Sequence, residues 1–372
     1  MQDQGLSVIE HFSIEGDLVS LEPSGGGHIH DTFVARYDVS AAPRRYILQR
    51  LNLNVFKNPD ALMDNIIRVT THIRTKLGNL SIPDPDRRTL TLVPTKKGEL
   101  YYKSPEGDVW RMFVFIEQGR TYHVLSSLRL AFEAARAFGE FQKWLSDLPP
   151  PRLHETIPDF HNTPKRLQTL QKIVEEDPCN RASLAAREIL FAFQNKDIAP
   201  VLMDLLEAGE IPERITHNDT KLDNIIFDEN TCEPLCVIDL DTVMPGLIHY
   251  DFGDMVRSLC CPAPEDEQDL NKVFLNLPVY EKLAQGYLSS LNDVLTKTEK
   301  DYLVFAGKLI CYEQGIRFLT DYLLGDVYYK TKDEWQNLRR SRTQFKLVES
   351  ILHIEDKMND IICGCYRSTS SI

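Results

Sequence analysis

The segment HNDTKLDN, residues 217–224, carries the densest group of chemically specific residues in the chain. The tetrapeptide IDLD follows at 238–241, so that Asp239 stands fifteen residues after Asn224. Because active-site groups recur at strand ends, we expect Asn224 and Asp239 to lie at neighbouring strand ends. The apolar residues around the two motifs predict short strands at 224–228 and 235–239.

Phosphoryl transfer requires these residue types: a carboxylate at the substrate hydroxyl, an amide oxygen and a second carboxylate on magnesium, and positive charge near the phosphoryl group. The spacing H-x-D-x-K-x-x-N matches the catalytic loop of protein kinases. It predicts Asp219 as the catalytic carboxylate, with Asn224 and Asp239 as magnesium ligands. The alternative is a polar turn whose His and Asp side chains hydrogen-bond locally, and five specific positions matching together argue against it.

Several neighbouring polar residues have two interpretations. Lys221 either stabilises charge on the transferring phosphoryl group or is simply solvated. We expect His217 to brace the loop by hydrogen bonding, because Asp219 already holds the acid–base position. Asp251 and Asp254 either hold the catalytic loop from below or cap the start of a helix.

The residues before this segment predict an antiparallel sheet with one long helix, which begins near Pro59 and ends near Gly78. The predicted strands are 32–37, 45–51, 90–93, 99–103 and 110–115, after a short helix at 4–12. The glycine run 24–27 lies between that helix and the first strand. Its backbone N–H groups could approach phosphate there, although flexible surface loops use the same residues.

The residues after 126 mostly show helical periodicity. The predicted helices include 127–145, 164–175, 182–206 and a long one containing 313–328. On the last helix, Arg317 and Asp321 are four residues apart, which is the spacing of an i,i+4 ion pair worth about 0.3–0.5 kcal/mol.

Composition and charge exclude several classes of partner. The chain has 42 Lys and Arg against 55 Asp and Glu, a formal charge of −13, which argues against DNA or RNA. No run reaches the roughly 18 apolar residues of a membrane span, and the N-terminus lacks the pattern of a signal peptide. We expect a cytoplasmic protein with reduced cysteines, neither membrane-bound nor bound to nucleic acid, that is a monomer or a weak homodimer.

The motifs H-x-D-x-x-x-x-N and I-D-x-[DEG] are the signature of the aminoglycoside phosphotransferase-like, or choline-kinase-like, small-molecule kinases, which this sequence resembles. Within that group it looks most like the N-acetylhexosamine 1-kinases, over nearly its whole length. The segments that carry the resemblance are 27–29, 46–49, 216–224, 238–246, 252–254 and 317–326.

The resemblance implies an α+β, bilobal, protein-kinase-like fold, with an N-terminal lobe at 1–118, a C-terminal lobe at 119–372 and a hinge near 115–119. It implies ATP- and Mg²⁺-dependent phosphorylation of the anomeric hydroxyl of N-acetylglucosamine or N-acetylgalactosamine. With the motifs, it predicts catalytic roles for Asp219 and Lys221 and a metal site at Asn224 and Asp239. It predicts nucleotide binding by Gly25, Gly26, Gly27, Gln49 and Glu117, and substrate binding by His28, Asp219, Arg317 and Tyr328. His28 could instead be only a loop hydrogen-bonder.

The strand lysine that pairs nucleotide phosphates in protein kinases is missing. Gln49 stands in its place, and a glutamine can donate hydrogen bonds but carries no charge. Arg50 is adjacent, yet strand alternation points it to the opposite face. Either magnesium and other basic groups compensate for the lysine, or nucleotide binding is impaired.

Other functions remain open. A kinase of the same fold could act on homoserine, choline, an aminoglycoside or another sugar. The missing lysine also suggests a weakly active nucleotide-binding regulator, although the intact Asp219, Asn224 and Asp239 argue against it.

Overall fold

A computed structural model describes residues 2–24, 29–39 and 43–369 of the chain. Its residues divide into two compact units, which are treated separately below. The first unit comprises Met1–Thr121, Asp147–Pro158 and Ile225–Met244; the second comprises Tyr122–Ser146, Asp159–Asn224 and Pro245–Ile372. The division into lobes after residue 118 stays a prediction.

The first unit contains a five-stranded antiparallel sheet in the order β1-β2-β3-β5-β4. Its strands are β1 (Asp17–Pro23), β2 (Asp31–Asp38), β3 (Arg44–Arg50), β4 (Tyr102–Lys103) and β5 (Val109–Val114). A second sheet, ordered β6-β8-β9, is formed by β6 (Gly119–Arg120), β8 (Ile225–Asp228) and β9 (Pro234–Val237). The helices of this unit are α1 (Gln2–Ile9), α2 (Pro59–Asn79) and α3 (Pro85–Arg88).

Strand β1 was not predicted from the sequence. It is an edge strand in which only Leu21 is fully buried, so it lacks the strong alternation of a covered strand. The glycine run therefore follows a strand rather than a helix, and Gly25, Gly26, Gly27 and His28 themselves lie outside the described residues. The predicted strand at 90–93 is reduced to a bridge between Leu92 and Phe113.

The long helix α2 begins with a capping residue and a proline, and its apolar residues recur at helical spacing. The side chain of Asn58 accepts a hydrogen bond from the Ala61 N–H at 3.1 Å, and Pro59 occupies the first turn, where its missing N–H costs nothing. Leu62, Ile66 and other apolar residues at helical spacing are buried, so the prediction of this helix is confirmed.

The second unit is mostly helical. Its helices are α4 (Leu128–Leu145), α5 (Thr163–Glu176), α6 (Ala186–Gln194), α7 (Val201–Glu207), α8 (Ile248–Leu259), α9 (Leu277–Leu291), α10 (Lys297–Asp301), α11 (Leu303–Leu323) and α12 (Gln336–Thr369). Two short strands are β7 (Arg214–Thr216) and β10 (Met244–Gly246), and the unit boundary falls within β10. The predicted α+β class, with an antiparallel sheet first and helices after it, is confirmed.

Two helix predictions were wrong in extent. The predicted helix 182–206 is broken into a 3-10 turn at Ala182–Ala185, α6, a second such turn at Lys196–Ile198 and α7. Pro200 directly precedes α7. Because a proline has no backbone N–H to donate to the preceding turn, a helix formed by the residues before it ends there. The predicted helix through 328 ends at Leu323, because Gly325 adopts a positive φ of 88°.

Glycines allow two helix pairs of the second unit to approach closely. A Cβ at Gly253 on α8 would lie 2.4 Å from the Ala306 carbonyl oxygen on α11, and one at Gly286 on α9 would lie 2.1 Å from that of Phe132 on α4. Both separations are below van der Waals contact, so substitution at either glycine would push the helices apart. Within the described ranges, no helix is both long and apolar enough to cross a membrane.

A buried histidine makes the stability of the protein pH-dependent. His249 on α8 has no exposed surface, its Nε2 donates to the Glu299 carbonyl oxygen at 2.9 Å, and burial lowers its pKa to about 4. The unfolded chain takes up this proton near pH 6.5, whereas the folded chain takes it up only near pH 4. Stability should therefore fall as the pH drops through this window, by up to about 3 kcal/mol.

We expect His249→Gln, which keeps a donor for Glu299, to remove this part of the pH dependence in denaturant titrations between pH 7 and 4. His123→Gln is the control, because the His123 side chain is 74% exposed. A wild-type slope that survives in His249→Gln would contradict the assignment.

Candidate active site

The loop 217–224, the predicted catalytic loop, places Asp219 between a lysine and an asparagine in the second unit. Lys221 Nζ lies 2.7 Å from Asp219 Oδ1, and Asn224 Nδ2 donates to Asp219 Oδ2 at 3.0 Å and to its carbonyl oxygen at 2.8 Å. Lys221 is therefore ion-paired rather than merely solvated.

The charge of Asp219 is controlled by its neighbours. Burial raises its pKa, but the positive charge and hydrogen bond of Lys221 outweigh burial, so that the pKa of Asp219 lies below its usual value. The side chain is consequently a carboxylate at neutral pH and can accept a hydrogen bond from a substrate hydroxyl.

The amide of Asn224 has a fixed orientation. Its Nδ2 donates twice to Asp219, which leaves Oδ1 as the atom that faces away from the carboxylate. An amide oxygen is a ligand that Mg²⁺ accepts in proteins. The residue before Asp219, Asn218, has a positive φ of 65°, a conformation that is sparsely populated and recurs at functional sites.

Two buried aspartates hold the catalytic loop. Asp251 accepts hydrogen bonds from the backbone N–H groups of His217 and Asn218 at 2.9 and 2.6 Å, and Asp254 accepts from that of Thr220 at 2.8 Å. Neither caps α8, whose N-cap is Leu247. Of the two interpretations of these aspartates, the one in which they hold the loop is confirmed.

His217 is buried against the aromatic rings of Phe138 and Phe141, with ring centroids 5.3 and 6.0 Å away. Its Nδ1 accepts the Asp219 backbone N–H at 3.3 Å. These contacts agree with a bracing role, because a ring enclosed in this way holds the backbone of the loop.

The second predicted metal ligand, Asp239, follows β9 in the first unit. In the hairpin of β8 and β9, Ile225 pairs with Val237; Ile225 is the residue after Asn224, and Val237 stands two residues before Asp239. Asp239 has a positive φ of 59°. The part of the chain that the structure describes holds no group of three or more His, Cys, Asp or Glu side chains arranged for a metal.

The predicted nucleotide residues that are described lie in the first unit. The Gln49 amino group donates to Thr32 Oγ1 at 3.2 Å, and its oxygen accepts from Arg111 Nε at 3.0 Å. Arg50 binds Asp31 instead, at 2.6 Å, as the alternation of the strand predicts. The Glu117 carboxylate accepts from Arg45 Nε at 3.1 Å.

The Arg317–Asp321 ion pair suggested by their spacing is absent, and that alternative was wrong. Asp321 instead accepts hydrogen bonds from the backbone N–H groups of residues 327, 328 and 329 at 2.8 to 3.0 Å. It thereby fixes the turn that carries Tyr328, which is 59% exposed, and Tyr329. Arg317 Nη1 donates to Gln314 Oε1 at 3.1 Å, and Gln314 Nε2 donates to the Tyr329 hydroxyl at 3.1 Å.

A chain of contacts connects this region with the catalytic loop inside the second unit. His161 Nδ1 lies 2.8 Å from Glu313 Oε1, and its Nε2 lies 3.4 Å from the carbonyl oxygen of Asn218. Glu313 also accepts from Thr163 at 2.6 Å and lies 3.9 Å from Arg317 Nη1. Arg317 is therefore joined to the residue next to Asp219 through two buried side chains.

A second arginine lies beside Arg317. Arg166 Nη2 donates to the Phe160 carbonyl oxygen at 3.1 Å, and the Arg317 guanidinium carbon lies 5.1 Å from the centre of the Phe160 ring. Arg166 Nε is buried without a hydrogen-bond partner among the described residues. Burial, together with the charge of Arg317, lowers the pKa of Arg166. The two guanidinium groups of Arg166 and Arg317 thus share the single carboxylate of Glu313.

The sequence interpretation missed Arg111, Arg166, His161 and Tyr329. Arg111 had a visible signal, since it is the one charged residue in the otherwise apolar strand VWRMFV, 109–114. No sequence pattern singled out the other three. The partners of His161, for example, are 152 and 57 residues away in the chain.

Comparison with known proteins gives both a family and a fold. The sequence matches the profile of the phosphotransferase enzyme family, APH, over residues 20–285. The structure is similar to a microcompartment-associated aminopropanol kinase, with 16% identity, coverage of 96% of this chain and 97% of that one, and a TM-score of 0.61. It is also similar to an aminoglycoside phosphotransferase from Alicyclobacillus acidocaldarius (12% identity, 95% and 96% coverage, TM-score 0.58). A choline kinase from Cryptosporidium parvum is a further neighbour (14% identity, 95% and 92% coverage, TM-score 0.56).

Proposed function

Because this chain belongs to the phosphotransferase enzyme family, we propose that it transfers the γ-phosphoryl group of ATP to the anomeric hydroxyl of N-acetylhexosamines. The family assignment supports a kinase with an alcohol acceptor. The identity of the sugar and the hydroxyl that receives the phosphate go beyond the family assignment and are proposed.

In the proposed reaction, Asp219 accepts a hydrogen bond from the sugar hydroxyl and aligns its oxygen with the γ-phosphorus. The new P–O bond forms as the bond to ADP breaks, and the proton of the hydroxyl passes to the Asp219 carboxylate. Lys221, 2.7 Å from that carboxylate, keeps it ionised before the transfer and adds positive charge near the phosphoryl group.

Asn224 and Asp239 are the proposed ligands of Mg²⁺, which when bound would neutralise charge on the ATP phosphates. The orientation of the Asn224 amide, with its oxygen directed away from Asp219, supports this assignment. Gln49 and Glu117, with Gly25, Gly26 and Gly27, are the proposed nucleotide contacts, and His28 is a proposed sugar contact.

The observation that carries the choice of substrate is the pair Arg166 and Arg317. The carboxylates around it are already engaged: Glu313 by His161 and Thr163, and Asp321 by three backbone N–H groups. The quaternary ammonium of choline or the protonated amines of an aminoglycoside would meet positive charge here, whereas hydroxyl and acetamido oxygens would meet donors. The exposed ring of Tyr328 could cover the apolar face of a sugar.

We test the proposal by measuring Mg²⁺-dependent ADP release with N-acetylglucosamine, N-acetylgalactosamine, a hexuronic acid, choline, homoserine and an aminoglycoside. The N-acetylhexosamines should give the highest kcat/KM, by at least about tenfold, the effect of one well-placed hydrogen bond to a charged group. Preference for choline or the aminoglycoside would contradict the proposal. Turnover of the hexuronic acid alone would show that the substrates are acidic sugars rather than N-acetylhexosamines.

A further inference from the structure

A cluster of polar side chains lies within the first unit around Gln49, which stands where protein kinases carry a lysine. Gln49 on β3 is directly opposite Arg111 on β5 in the sheet. Arg111 is only 2% exposed, and its Nη1 and Nη2 donate to the two carboxylate oxygens of Asp241 at 2.5 and 2.7 Å. Its third nitrogen, Nε, donates to Gln49 Oε1 at 3.0 Å.

Arg111 determines which end of the Gln49 amide faces the cluster. A guanidinium only donates hydrogen bonds, so the oxygen of Gln49 must face Arg111 and the amino group must face away. One amino hydrogen is used on Thr32 Oγ1 at 3.2 Å. The other has no partner among the described residues and is available to a phosphate oxygen.

Asp241 is the second acid of the IDLD motif, and its hydrogen bonds show that it holds Arg111. Besides the two bonds from Arg111, Asp241 Oδ2 accepts one from His30 Nε2 at 2.9 Å. The tautomer of His30 is set on the other side, where the backbone N–H of Asn52 donates to Nδ1 at 3.0 Å. Both carboxylate oxygens of Asp241 are thus occupied by protein donors, which leaves it unsuited to bind a metal.

We propose that Arg111 is a positioning residue that, held by Asp241, replaces the missing strand lysine by fixing the Gln49 amide with its amino group toward the nucleotide phosphates. The positive charge that protein kinases carry on this strand is here on the neighbouring strand β5, where Arg111 binds Asp241. Gln49 on β3 then supplies the contact to the phosphates. This inference rests on the proposed nucleotide-binding role of β3.

The test measures binding of Mg²⁺–ADP by calorimetry, together with KM for ATP and thermal stability. Arg111→Lys keeps a positive charge for Asp241 but removes the donor that orients Gln49. We expect nucleotide affinity to fall about tenfold, the effect of one hydrogen bond to a charged donor, with KM for ATP raised and kcat nearly unchanged. Arg50→Lys is the control, on β3 beside Gln49. Arg50 binds Asp31 rather than Gln49, and strand alternation directs it to the other face, so this variant should bind nucleotide within about twofold of wild type.

Moving the positive charge from residue 111 to residue 49 tests whether Arg111 positions Gln49 or only stabilises the fold. Gln49→Lys alone places a second positive charge against Arg111 and should weaken nucleotide binding. Combined with Arg111→Met, the new lysine can pair with Asp241, and binding should return to within about threefold of wild type. If Arg111→Lys does not fold, this comparison decides.

Wild-type affinity in a folded Arg111→Lys, or no gain of the double variant over Gln49→Lys, would overturn the inference and leave the proposed function intact. A wild-type protein that binds no adenine nucleotide would overturn both.

Discussion

Asp219→Asn is expected to lower kcat by a factor of about 10³ while the affinity for Mg²⁺–ATP stays close to wild type. The substitution removes the carboxylate that, in the proposed reaction, orients the hydroxyl and receives its proton, a contribution that typically amounts to 10² to 10⁴ in rate. Lys221 loses its partner at 2.7 Å, but the backbone of the loop remains tied to Asp251 and Asp254. Single-turnover kinetics and nucleotide titration measure the two quantities separately.

The matched control is Asp223→Asn in the same loop. Its carboxylate is 40% exposed and lies 3.8 Å from His123 Nδ1, so its replacement should change kcat by less than about twofold, as is usual for an exposed pair. Equal activity of Asp219→Asn and wild type would remove Asp219 from the chemistry. Equal loss in both variants would indicate general damage to the loop.

Asp251→Asn is expected to cause the largest loss of stability among these substitutions, about 3 kcal/mol. Asp251 is fully buried, and its oxygens accept from two backbone N–H groups of the loop and from Gln142 Nε2 at 2.5 Å. An asparagine has a single acceptor oxygen, so at least one buried donor would face the new amino group. Because those donors belong to residues 217 and 218, we expect kcat to fall as well, by about tenfold.

The free energy of unfolding of Asp251→Asn can be compared with that of Asp293→Asn. Asp293 is 69% exposed and pairs with Lys143 on the surface, and such pairs are worth about 0 to 1 kcal/mol. A loss in Asp251→Asn no larger than in Asp293→Asn would show that the buried carboxylate does not hold the loop.

The contacts within the loop 217–224 could be predicted from the sequence because they are local. Asp219, Lys221 and Asn224 lie within six residues of one another, and short spacing translates directly into contact, as the bonds of Asn224 to Asp219 show. The helix α2 could be predicted for a similar reason, since its cap and apolar spacing are encoded within one segment.

Features that depend on long-range pairing could not be predicted. Gln49 and Arg111 are 62 residues apart, and Arg111 and Asp241 are 130 residues apart, so the partner of Gln49 emerges only from the register of the sheet. The local contacts of Asp321 were not predicted either. Its spacing from Arg317 allows an ion pair, but the backbone N–H groups of residues 327–329 bind that carboxylate instead.

The most direct test of the central claim is phosphorus NMR of the product formed from Mg²⁺–ATP and N-acetylglucosamine or N-acetylgalactosamine. We expect a phosphate resonance coupled to the anomeric proton, formed by wild type and absent with Asp219→Asn. A phosphate on the 6-hydroxyl, or no phosphorylated sugar from either substrate with a protein that binds ATP, would contradict it.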